Sequence, residues 1–443
     1  MTWAPTLTAR VELETETGPA IGYAADLLVP KWFEKDPEKS LRNDIEGLMA
    51  SATRAGEVAC DAKEETVFDL WWRTYNDRVH GQPADAPDRL LRGFGVALIE
   101  RAVMDATCRA GSVSFFEAFK KDLFGVRPER VYPELDGWSL AESLPTEPLQ
   151  RVALRHTIGL VDALRAEDLS ERVDDGLPEC LEEDIRAYGL RWFKLKLCGD
   201  RAIDLPRTLA FADVLSQNVK GEYSVTVDGN EQYSDLDKLV AFLAELGSDT
   251  RGRAVLDRLV CIEQPLPRSL SFAPEARHGL AALSEIAPVI LDEADHGIEA
   301  LPRALELGYG GVSMKNCKGV MRAMLQRGLC EKRGAFQSAE DLTNLGVLAL
   351  QQDLTTVAAL GLTHVERNGH HYFRGLSHLS QREADSAKAA HPGLWEQSNG
   401  VTQLRVENGE LDLTSLQGVG YGYSAEIDWK SRIPQSEWSF QER

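Results

Sequence analysis

The sequence predicts an α/β fold: a closed (β/α)₈-type barrel, like a TIM barrel, joined to a smaller α+β capping domain. Three observations predict it. Short apolar runs alternate with longer amphipathic segments between residues 148 and 384, and strands that alternate with helices pair in parallel. There are eight such units, the number that closes a barrel. At 443 residues the chain is also too long for a single ordinary core, so a second domain is expected.

The capping domain is predicted from residues 1–147, where this alternation is missing. Two antiparallel strands are predicted at RVELETE and IGYAADLLV, joined at Thr17-Gly18-Pro19. Helices are predicted in SLRNDIEGLMASATRAG and DRLLRGFGVALIERAVMDATCRA, because apolar residues recur there at spacings of three and four. The polar stretch LFGVRPERVYPELDGWSL contains Pro and Gly, and we expect it to join the cap to the barrel.

The barrel strands are predicted from short apolar runs bounded by turn residues. Helix-length segments such as LDKLVAFLAELG and TNLGVLALQQDLTTVAALG lie between them. The eight predicted strands span residues 151–157, 190–197, 223–228, 258–263, 288–292, 311–315, 334–338 and 361–366.

The alternation stops after residue 380. The tail, residues 385–443, is expected to contain a hairpin and a Gly-rich loop within VTQLRVENGELDLTSLQGVGYGYS. We expect this tail to pack back on the capping domain.

Composition limits the partners of the protein. The formal net charge of −21 argues against broad contact with nucleic acid or with a membrane surface, since both need basic patches. The longest apolar runs fall short of the roughly 18 residues of a membrane span, and the amino terminus has no secretory pattern. The seven cysteines are scattered, which is typical of a reduced, cytoplasmic protein without a disulfide framework. An acidic barrel protein of this size is expected to form a homo-oligomer.

Ionisable side chains stand at the carboxyl ends of five successive predicted strands. In a barrel of parallel strands these ends converge on one face, where the active site lies. Three of the residues are carboxylates, and together they make an oxygen cage that suits Mg²⁺, with Mn²⁺ as the alternative. In chain order the five residues are Lys196, Asp228, Glu263, Asp292 and Lys315.

The two lysines at the ends of this series flank the cage. Lys196 and Lys315 are placed to remove a proton from a carbon acid on one side and to deliver a proton on the other. The proton α to a carboxylate is so weakly acidic that its removal needs a divalent cation to hold the developing enediolate. The predicted substrate is therefore a small-molecule carboxylate.

Lys194 and Lys196, in FKLKLCGD, share one face of a strand because strand side chains alternate. Lysine in water has a pKa of about 10.4 and is a poor base at neutral pH. A second ammonium group, burial and a nearby metal ion all favour the neutral amine. We expect Lys194 to lower the pKa of Lys196 and to touch the substrate carboxylate. The alternative is a pair of solvent-exposed strand charges.

Taken together, the motifs KLK, VDGN, IEQP, LDEA and SMKNCK resemble those of the enolase superfamily in order and spacing. Within it they are most similar to the muconate lactonizing enzyme-like subgroup of the mandelate racemase/muconate lactonizing enzyme family. The resemblance covers nearly the whole chain and implies a modified (β/α)₇β barrel with a two-part cap. It also implies Lys196 and Lys315 as the acid/base pair and Asp228, Glu263 and Asp292 as Mg²⁺ ligands.

Three further candidate residues lie inside these motifs. Gln264 is expected to orient Glu263 or only to shape its loop, and Glu293 is expected to bond to neighbouring loops while Asp292 faces inward. Asn230 either contacts the substrate or simply favours the turn after Gly229.

Other substrate-binding candidates lie outside the motifs. Trp32 stands where the resemblance implies a mobile cap loop over the substrate, or else it packs in the core of the cap. After the eighth strand, Glu366, Asn368 and His371 either recognise a polar substrate or cap a helix and fill a loop.

The predicted reaction is abstraction of the proton α to a carboxylate, with racemisation or epimerisation as the first choice of outcome. The alternatives are cycloisomerisation and the dehydration of a hydroxy or sugar acid. An alternative of another class is a non-catalytic, metal-binding barrel protein. The eighth strand reads HVERNGHHYF and lacks the Asp-x-Asp that dipeptide epimerases usually carry, which argues against a dipeptide substrate.

Overall fold

A computed structural model of the chain describes residues 5–15, 18–63, 66–84 and 86–440. Within this part of the chain, an eight-stranded barrel carries a cap of two strands and several helices. Thr17, which was predicted to lie in the first turn, falls outside the described residues.

The cap begins with the two predicted antiparallel strands, β1 (Thr6–Thr15) and β2 (Gly18–Leu27). Its helices are α1 (Leu41–Cys60), α2 (Val67–Tyr75), α3 (Arg89–Ala110), α4 (Phe115–Lys120) and α5 (Leu140–Ser143). Helix α3 lies directly against β2: a Cβ atom at Gly22 would stand 2.1 Å from the carbonyl oxygen of Ala102. Glycine at this position therefore sets the distance between sheet and helix.

The eight predicted barrel strands are present and close on themselves. Each strand pairs in parallel with the next, and the last returns to the first, with Val365 opposite Leu154. The predicted closed barrel is confirmed, and its strand ends differ from the predicted ones by a few residues. The strands are β3 (Arg151–Ile158), β4 (Trp192–Lys196), β5 (Ser224–Asp228), β6 (Leu259–Glu263), β7 (Val289–Leu291), β8 (Gly311–Met314), β9 (Phe336–Ala339) and β10 (His364–Arg367).

Helices connect the barrel strands and cover the barrel on the outside. No helix among the described residues is both long and apolar enough to cross a membrane. The connecting helices are α6 (Leu181–Tyr188), α7 (Arg201–Asn218), α8 (Leu236–Leu246), α9 (Thr250–Leu256), α10 (Ala276–Ser284), α11 (Ala300–Leu307), α12 (Val320–Arg333) and α13 (Leu348–Leu360). Two more, α14 (Gly369–Tyr372) and α15 (Gln381–Ala390), follow the last barrel strand.

The tail forms a hairpin that begins before the predicted segment, and within that segment Glu407 and Glu410 form an antiparallel bridge. Strands β11 (Trp395–Ser398) and β12 (Val401–Leu404) pair with each other, whereas β13 (Glu410–Asp412) pairs antiparallel with the start of β3. Strand β4 pairs only with the second half of β3, so β13 occupies the backbone groups that the first half leaves open.

The end of the tail reaches the cap. The backbone of Gly420 exchanges hydrogen bonds with Val113 and Phe115, at 3.0 and 2.8 Å. Tyr423 donates a hydrogen bond to Asp105 of α3, and its ring lies edge-on to that of Tyr23 in β2. The tail thus contacts both the barrel and the cap, while the predicted domain boundaries stay a prediction.

Candidate active site

The ionisable residues predicted at the strand ends lie on the carboxyl-end face of the barrel. Five of the six are buried, and only Lys196 is partly exposed. The barrel contributes Lys194 and Lys196 from β4, Asp228 from β5, Glu263 from β6, Asp292 after β7 and Lys315 after β8.

Lys194 is buried among four carboxylates and is 1% exposed. Its Nζ lies 2.7 Å from Glu263, 2.9 Å from Glu366, 3.1 Å from Asp228 and 3.3 Å from Glu340. Burial is the largest influence and lowers the pKa of Lys194, but the four carboxylates outweigh it and raise the pKa well above its ordinary value. Lys194 is therefore a fixed cation that neutralises the carboxylates, and contact with a substrate stays a prediction.

Lys196 reaches the edge of the site, where 28% of its side chain is exposed and its Nζ lies 3.3 Å from Asp228. Burial lowers its pKa, and the neighbouring ammonium group of Lys194 lowers it further, as expected. Asp228, helped by Glu366 and Glu293, outweighs both, so the pKa of Lys196 is raised. The expected effect of Lys194 on Lys196 is therefore present, but the carboxylates outweigh it, and the sequence did not reveal how close they come.

Lys315 follows β8, which lies across the closed barrel from β4, the strand that carries Lys196. Its Nζ lies 2.8 Å from Asp292, 2.6 Å from Glu340 and 3.9 Å from Glu263. Burial lowers its pKa, but Asp292 and Glu340 outweigh burial and raise it well above the ordinary value. Both lysines of the predicted acid/base pair thus hold their protons in this structure.

Glu340 is a central residue of the site that the sequence reasoning missed. It follows β9, is 1% exposed, and one carboxylate oxygen contacts both Lys194 and Lys315. Its other oxygen accepts a hydrogen bond of 2.7 Å from the guanidinium of Arg155, which points inward from β3. Its place directly after the seventh barrel strand is the same signal that pointed to the other carboxylates, and it could have identified Glu340.

Three carboxylates form a compact group: one oxygen each from Glu263, Asp292 and Glu340 lies within 4.8 Å of the others. Apart from the ion pairs with Lys194 and Lys315, the two buried oxygens of Glu263 have no hydrogen-bond partner among the described residues. Burial, with the repulsion of Glu340 next, raises the pKa of Glu263 well above its ordinary value. Carboxylates this close need a proton or a cation between them, so the residues present fit a hard cation such as Mg²⁺.

Asp228, the third predicted ligand, lies beside this group and not in it. One of its oxygens contacts both Lys194 and Lys196, and the other accepts a hydrogen bond of 2.7 Å from the backbone nitrogen of Asn230. Lys194 contacts Asp228 and Glu263 together. Its ammonium group therefore occupies the place where a metal ion shared by these two carboxylates would bind.

Gln264 holds the loop that carries Asp292. Its side-chain oxygen accepts hydrogen bonds from the backbone nitrogens of Asp292 and Ala294, at 2.9 and 3.1 Å. Its amide nitrogen donates to the carbonyl oxygen of Leu266 at 2.7 Å and to Ser271 at 2.9 Å. Gln264 therefore orients a carboxylate of the site, but this carboxylate is Asp292 and not the predicted Glu263.

Glu293 points away from Asp292 and contacts loops. It accepts a hydrogen bond of 3.1 Å from the side-chain amide of Asn230 and lies 3.4 Å from Lys35 of the cap. Burial and the neighbouring Asp292 raise the pKa of Glu293 to about 7. Asn230 itself has a positive φ of 45°, so it both forms a turn and joins two loops of the site.

Trp32 reaches the site from the cap. The Nζ of Lys315 lies 5.4 Å from the centre of the Trp32 ring, within reach of a cation–π interaction. The loop that carries Trp32 is fastened to the barrel, because Arg268 donates hydrogen bonds to the carbonyl oxygens of Trp32 and Phe33, at 3.0 and 2.9 Å. The structure thus places Trp32 beside a predicted catalytic lysine.

Two of the three candidates after the eighth strand, Glu366 and Asn368, share one environment. Glu366 faces the barrel interior, where it contacts Lys194 and accepts hydrogen bonds from Thr157 and Asn368. Burial is the largest influence and raises the pKa of Glu366, but the surrounding cations, Lys194 first among them, together outweigh burial and lower the pKa. Glu366 is therefore a charged partner of Lys194. His371 lies apart from the carboxylates, against two other histidines.

No protein-family model matches the chain. Among curated proteins it is similar to the L-Lys-D/L-Arg epimerase of Methylococcus capsulatus, with 28% identity over 271 residues that cover 55% of this chain and 69% of that protein.

Solved structures share the fold along nearly the whole chain. A muconate lactonizing enzyme from Klebsiella pneumoniae has a TM-score of 0.58 and 16% identity, covering 94% of this chain and 91% of that one. A dipeptide epimerase from Enterococcus faecalis has a TM-score of 0.57 and 13% identity, with coverage of 95% and 97%. A racemase from Streptomyces coelicolor with bound magnesium has a TM-score of 0.55 and 15% identity, with coverage of 96% and 90%.

Proposed function

We propose, on the premise that this chain shares the fold of the mandelate racemase/muconate lactonizing enzyme family of the enolase superfamily, that it is a Mg²⁺-dependent enzyme. The proposed step is abstraction of the proton α to the carboxylate of a small substrate. One observation carries the proposal: Lys196 and Lys315 come from strands that lie across the barrel from each other, and they contact Asp228 and Asp292 of one buried group of carboxylates. A substrate carbon between the two lysines would have a proton donor or acceptor on each side.

Asp228, Glu263 and Asp292 are the proposed Mg²⁺ ligands. Glu340 is the nearer neighbour of Glu263 and Asp292, but both of its oxygens are already held, one by Arg155 and one by Lys315. A bound Mg²⁺ would stabilise negative charge that develops on the substrate carboxylate. For Asp228 and Glu263 to bind the ion together, the ammonium group of Lys194 would have to withdraw from between them.

The two lysines would exchange protons with the substrate carbon. As the site stands, the carboxylates hold both lysines in the protonated form, so each is set to donate a proton. To accept one, a lysine must lose the electrostatic support of its carboxylate. The proposal therefore requires Asp228 and Asp292 to be neutralised by another positive charge before Lys196 or Lys315 acts as a base.

Racemisation or epimerisation is the proposed outcome. A proton acceptor on one face of a carbon and a proton donor on the other are what inversion requires. The name of the Methylococcus relative, an L-Lys-D/L-Arg epimerase, supports the same class of reaction. The substrate stays open beyond a small carboxylate, because Glu366, the acidic residue at the end of the eighth strand, is already paired with Lys194.

The test is deuterium exchange in ²H₂O with Mg²⁺, followed by proton NMR over a panel of N-acyl amino acids, dipeptides and hydroxy acids. The proposal predicts that one class loses its α-proton signal and that deuterium enters both stereoisomers. Loss of water with a keto product would show dehydration instead, and ring closure would show cycloisomerisation. If no carboxylate exchanges, and removal of Mg²⁺ changes nothing, the chain is a metal-binding barrel protein without this activity.

A further inference from the structure

A second group of potential metal ligands lies outside the barrel interior. It comprises His156, His370 and His371, here called the histidine cluster. One ring nitrogen from each residue lies within 4.8 Å of the others. The Nδ1 atom of His156 is 3.0 Å from the Nε2 atom of His370, and the ring of His371 is centred 4.4 Å from His156 and 4.7 Å from His370.

Strand pairing explains why three histidines meet. In β3, Arg155 and Thr157 point into the barrel, where they bond to Glu340 and Glu366. His156 lies between them, so its side chain points outward. Strand β10 places Arg367 opposite His156, and His370 and His371 follow in the short helix α14. The cluster therefore joins the first barrel strand to the segment after the last one.

Several polar atoms of the cluster have no hydrogen-bond partner among the described residues. Neither ring nitrogen of His371 has a hydrogen-bond partner among the described residues, although both are shielded from solvent. On the far side of His156, the Nε2 atom lies 3.6 Å from a carboxylate oxygen of Asp184 in α6. The other oxygen of this buried Asp184 also lacks a partner. Unpaired polar atoms in a protein interior cost free energy, and each needs an explanation.

A metal ion would account for these features together. Imidazole nitrogens suit Zn²⁺, Cu²⁺ and Ni²⁺, whereas Mg²⁺ prefers oxygen. Zinc–nitrogen bonds of about 2.0 to 2.1 Å place two nitrogens of a tetrahedral site about 3.3 Å apart, so His156 and His370 need only a small shift. A histidine that binds a metal usually directs its other ring nitrogen to a carboxylate. The Nε2 atom of His156 faces the carboxylate of Asp184 in this way.

We propose that the histidine cluster binds one transition-metal ion of the Zn²⁺ class, separate from the Mg²⁺ site. Three imidazoles leave the fourth position of the ion for water. The ion would fasten α14 to β3 and so fix the segment that follows Glu366 and contains Asn368. The chemical difference between the nitrogen cluster and the carboxylate group keeps the two sites selective for different ions.

The test is a calorimetric titration of the whole protein with Zn²⁺ in excess Mg²⁺. The zinc that stays bound after dialysis is then measured. One equivalent of Zn²⁺ is expected for the wild type, together with a rise in Tm because the ion binds only the folded state. His371→Ala is expected to weaken Zn²⁺ binding at least tenfold. The matched control is His278→Ala, which changes an exposed histidine on α10 and should bind Zn²⁺ like the wild type.

Two further variants locate the ion. His156→Gln should also lose Zn²⁺ binding, and Asp292→Asn should retain it, because the carboxylate group is a separate site. If a buried variant fails to fold, His371→Gln, at the less buried position, replaces it. The proposal is overturned if the wild type binds no Zn²⁺ in excess Mg²⁺, if the histidine variants bind it like the wild type, or if Asp292→Asn alone abolishes it.

Discussion

Lys194 is the residue on which the charge balance of the site depends. Its ammonium group contacts four carboxylates that lie in or directly after four different barrel strands, whereas that of its neighbour Lys196 contacts one. The alternation of strand side chains predicted that both lysines would share a face. It could not predict that one would be buried and the other partly exposed, because that depends on the long side chains of neighbouring strands.

Replacing Lys194 by Met should therefore destabilise the protein when Mg²⁺ is absent. The variant leaves buried carboxylates without their cation, and breaking a buried ion pair from one side costs about 3 kcal/mol or more. Urea unfolding measures the loss, with Lys196→Met as the matched control, for which about 1 kcal/mol or less is expected because Lys196 is partly exposed. Added Mg²⁺ should restore much of the stability of Lys194→Met. Equal losses in the two variants would refute this account of Lys194.

A comparison of Asp228→Asn with Glu340→Gln decides whether Asp228 or Glu340 is the third Mg²⁺ ligand. If Asp228 binds the ion, Asp228→Asn should weaken Mg²⁺ binding about 100-fold, and Glu340→Gln, which changes a neighbouring group, about tenfold. Calorimetric titration with Mg²⁺ measures both. The reverse order would make Glu340 the ligand and would confine Asp228 to contacts with the lysines.

At the scale of elements, the strand-end rule located most of the site and missed part of it for physical reasons. Parallel strands bring their carboxyl ends to one face, which is why Asp228, Glu263 and Asp292 could be named from spacing alone. Arg155 was missed because it lies within β3 and reaches the site only through the length of its side chain. The partner of β13 was missed because periodicity predicts a strand but not the edge that it joins.

The cap loop is the element expected to control access to the site. Arg268→Ala removes the hydrogen bonds to the carbonyl oxygens of Trp32 and Phe33, so the loop should close less well over the substrate. We expect kcat/KM to fall about tenfold while Mg²⁺ affinity is unchanged. Arg303→Ala is the matched control, because Arg303 bonds to Phe272 of the barrel and not to the cap. Equal kinetic effects in the two variants would exclude a role for the loop.

Helix α3 of the cap contributes a pH-sensitive contact with the barrel. Glu100 accepts backbone hydrogen bonds from Val320 and Met321 at the start of α12. Burial is the main reason that its pKa rises from 4.5 to about 7. The carboxyl group of Glu100 therefore binds its proton more tightly in the folded protein than in the unfolded chain. The stability contributed by this proton is complete below about pH 4.5 and is lost as the pH rises through about 7.

Glu100→Gln removes this dependence. Unfolding free energies of the two proteins should diverge between pH 5 and pH 8, with the wild type losing up to about 3 kcal/mol relative to Glu100→Gln. Urea unfolding at several pH values gives the difference directly. A constant difference across this range would mean that Glu100 does not titrate there.

At the scale of the whole molecule, cap and barrel share a buried polar interface. Arg101 of α3 pairs with Asp26 of β2, and Asn344, in a barrel loop, donates to Asp26 at 3.0 Å and to Asp353 at 2.8 Å. Such a network fixes the orientation of the cap over the site, since each buried polar group needs its partner. The sequence predicted the two domains but not this interface, because its members lie far apart along the chain.

Assembly is a separate property of the whole molecule. The predicted homo-oligomer stays a prediction, and sedimentation equilibrium would decide it. The acidic net charge of −21 makes a moderate salt concentration necessary in that experiment, since repulsion between copies is screened by salt.

The central claim is that Lys196 and Lys315 act on opposite faces of one substrate carbon. It is tested most directly by following α-proton exchange in ²H₂O for each stereoisomer of the substrate with Lys196→Ala and with Lys315→Ala. The account predicts that both variants lose racemisation or epimerisation, and that each still exchanges one stereoisomer, the opposite one in the two variants. Full activity in either variant, or exchange of the same stereoisomer in both, would contradict it.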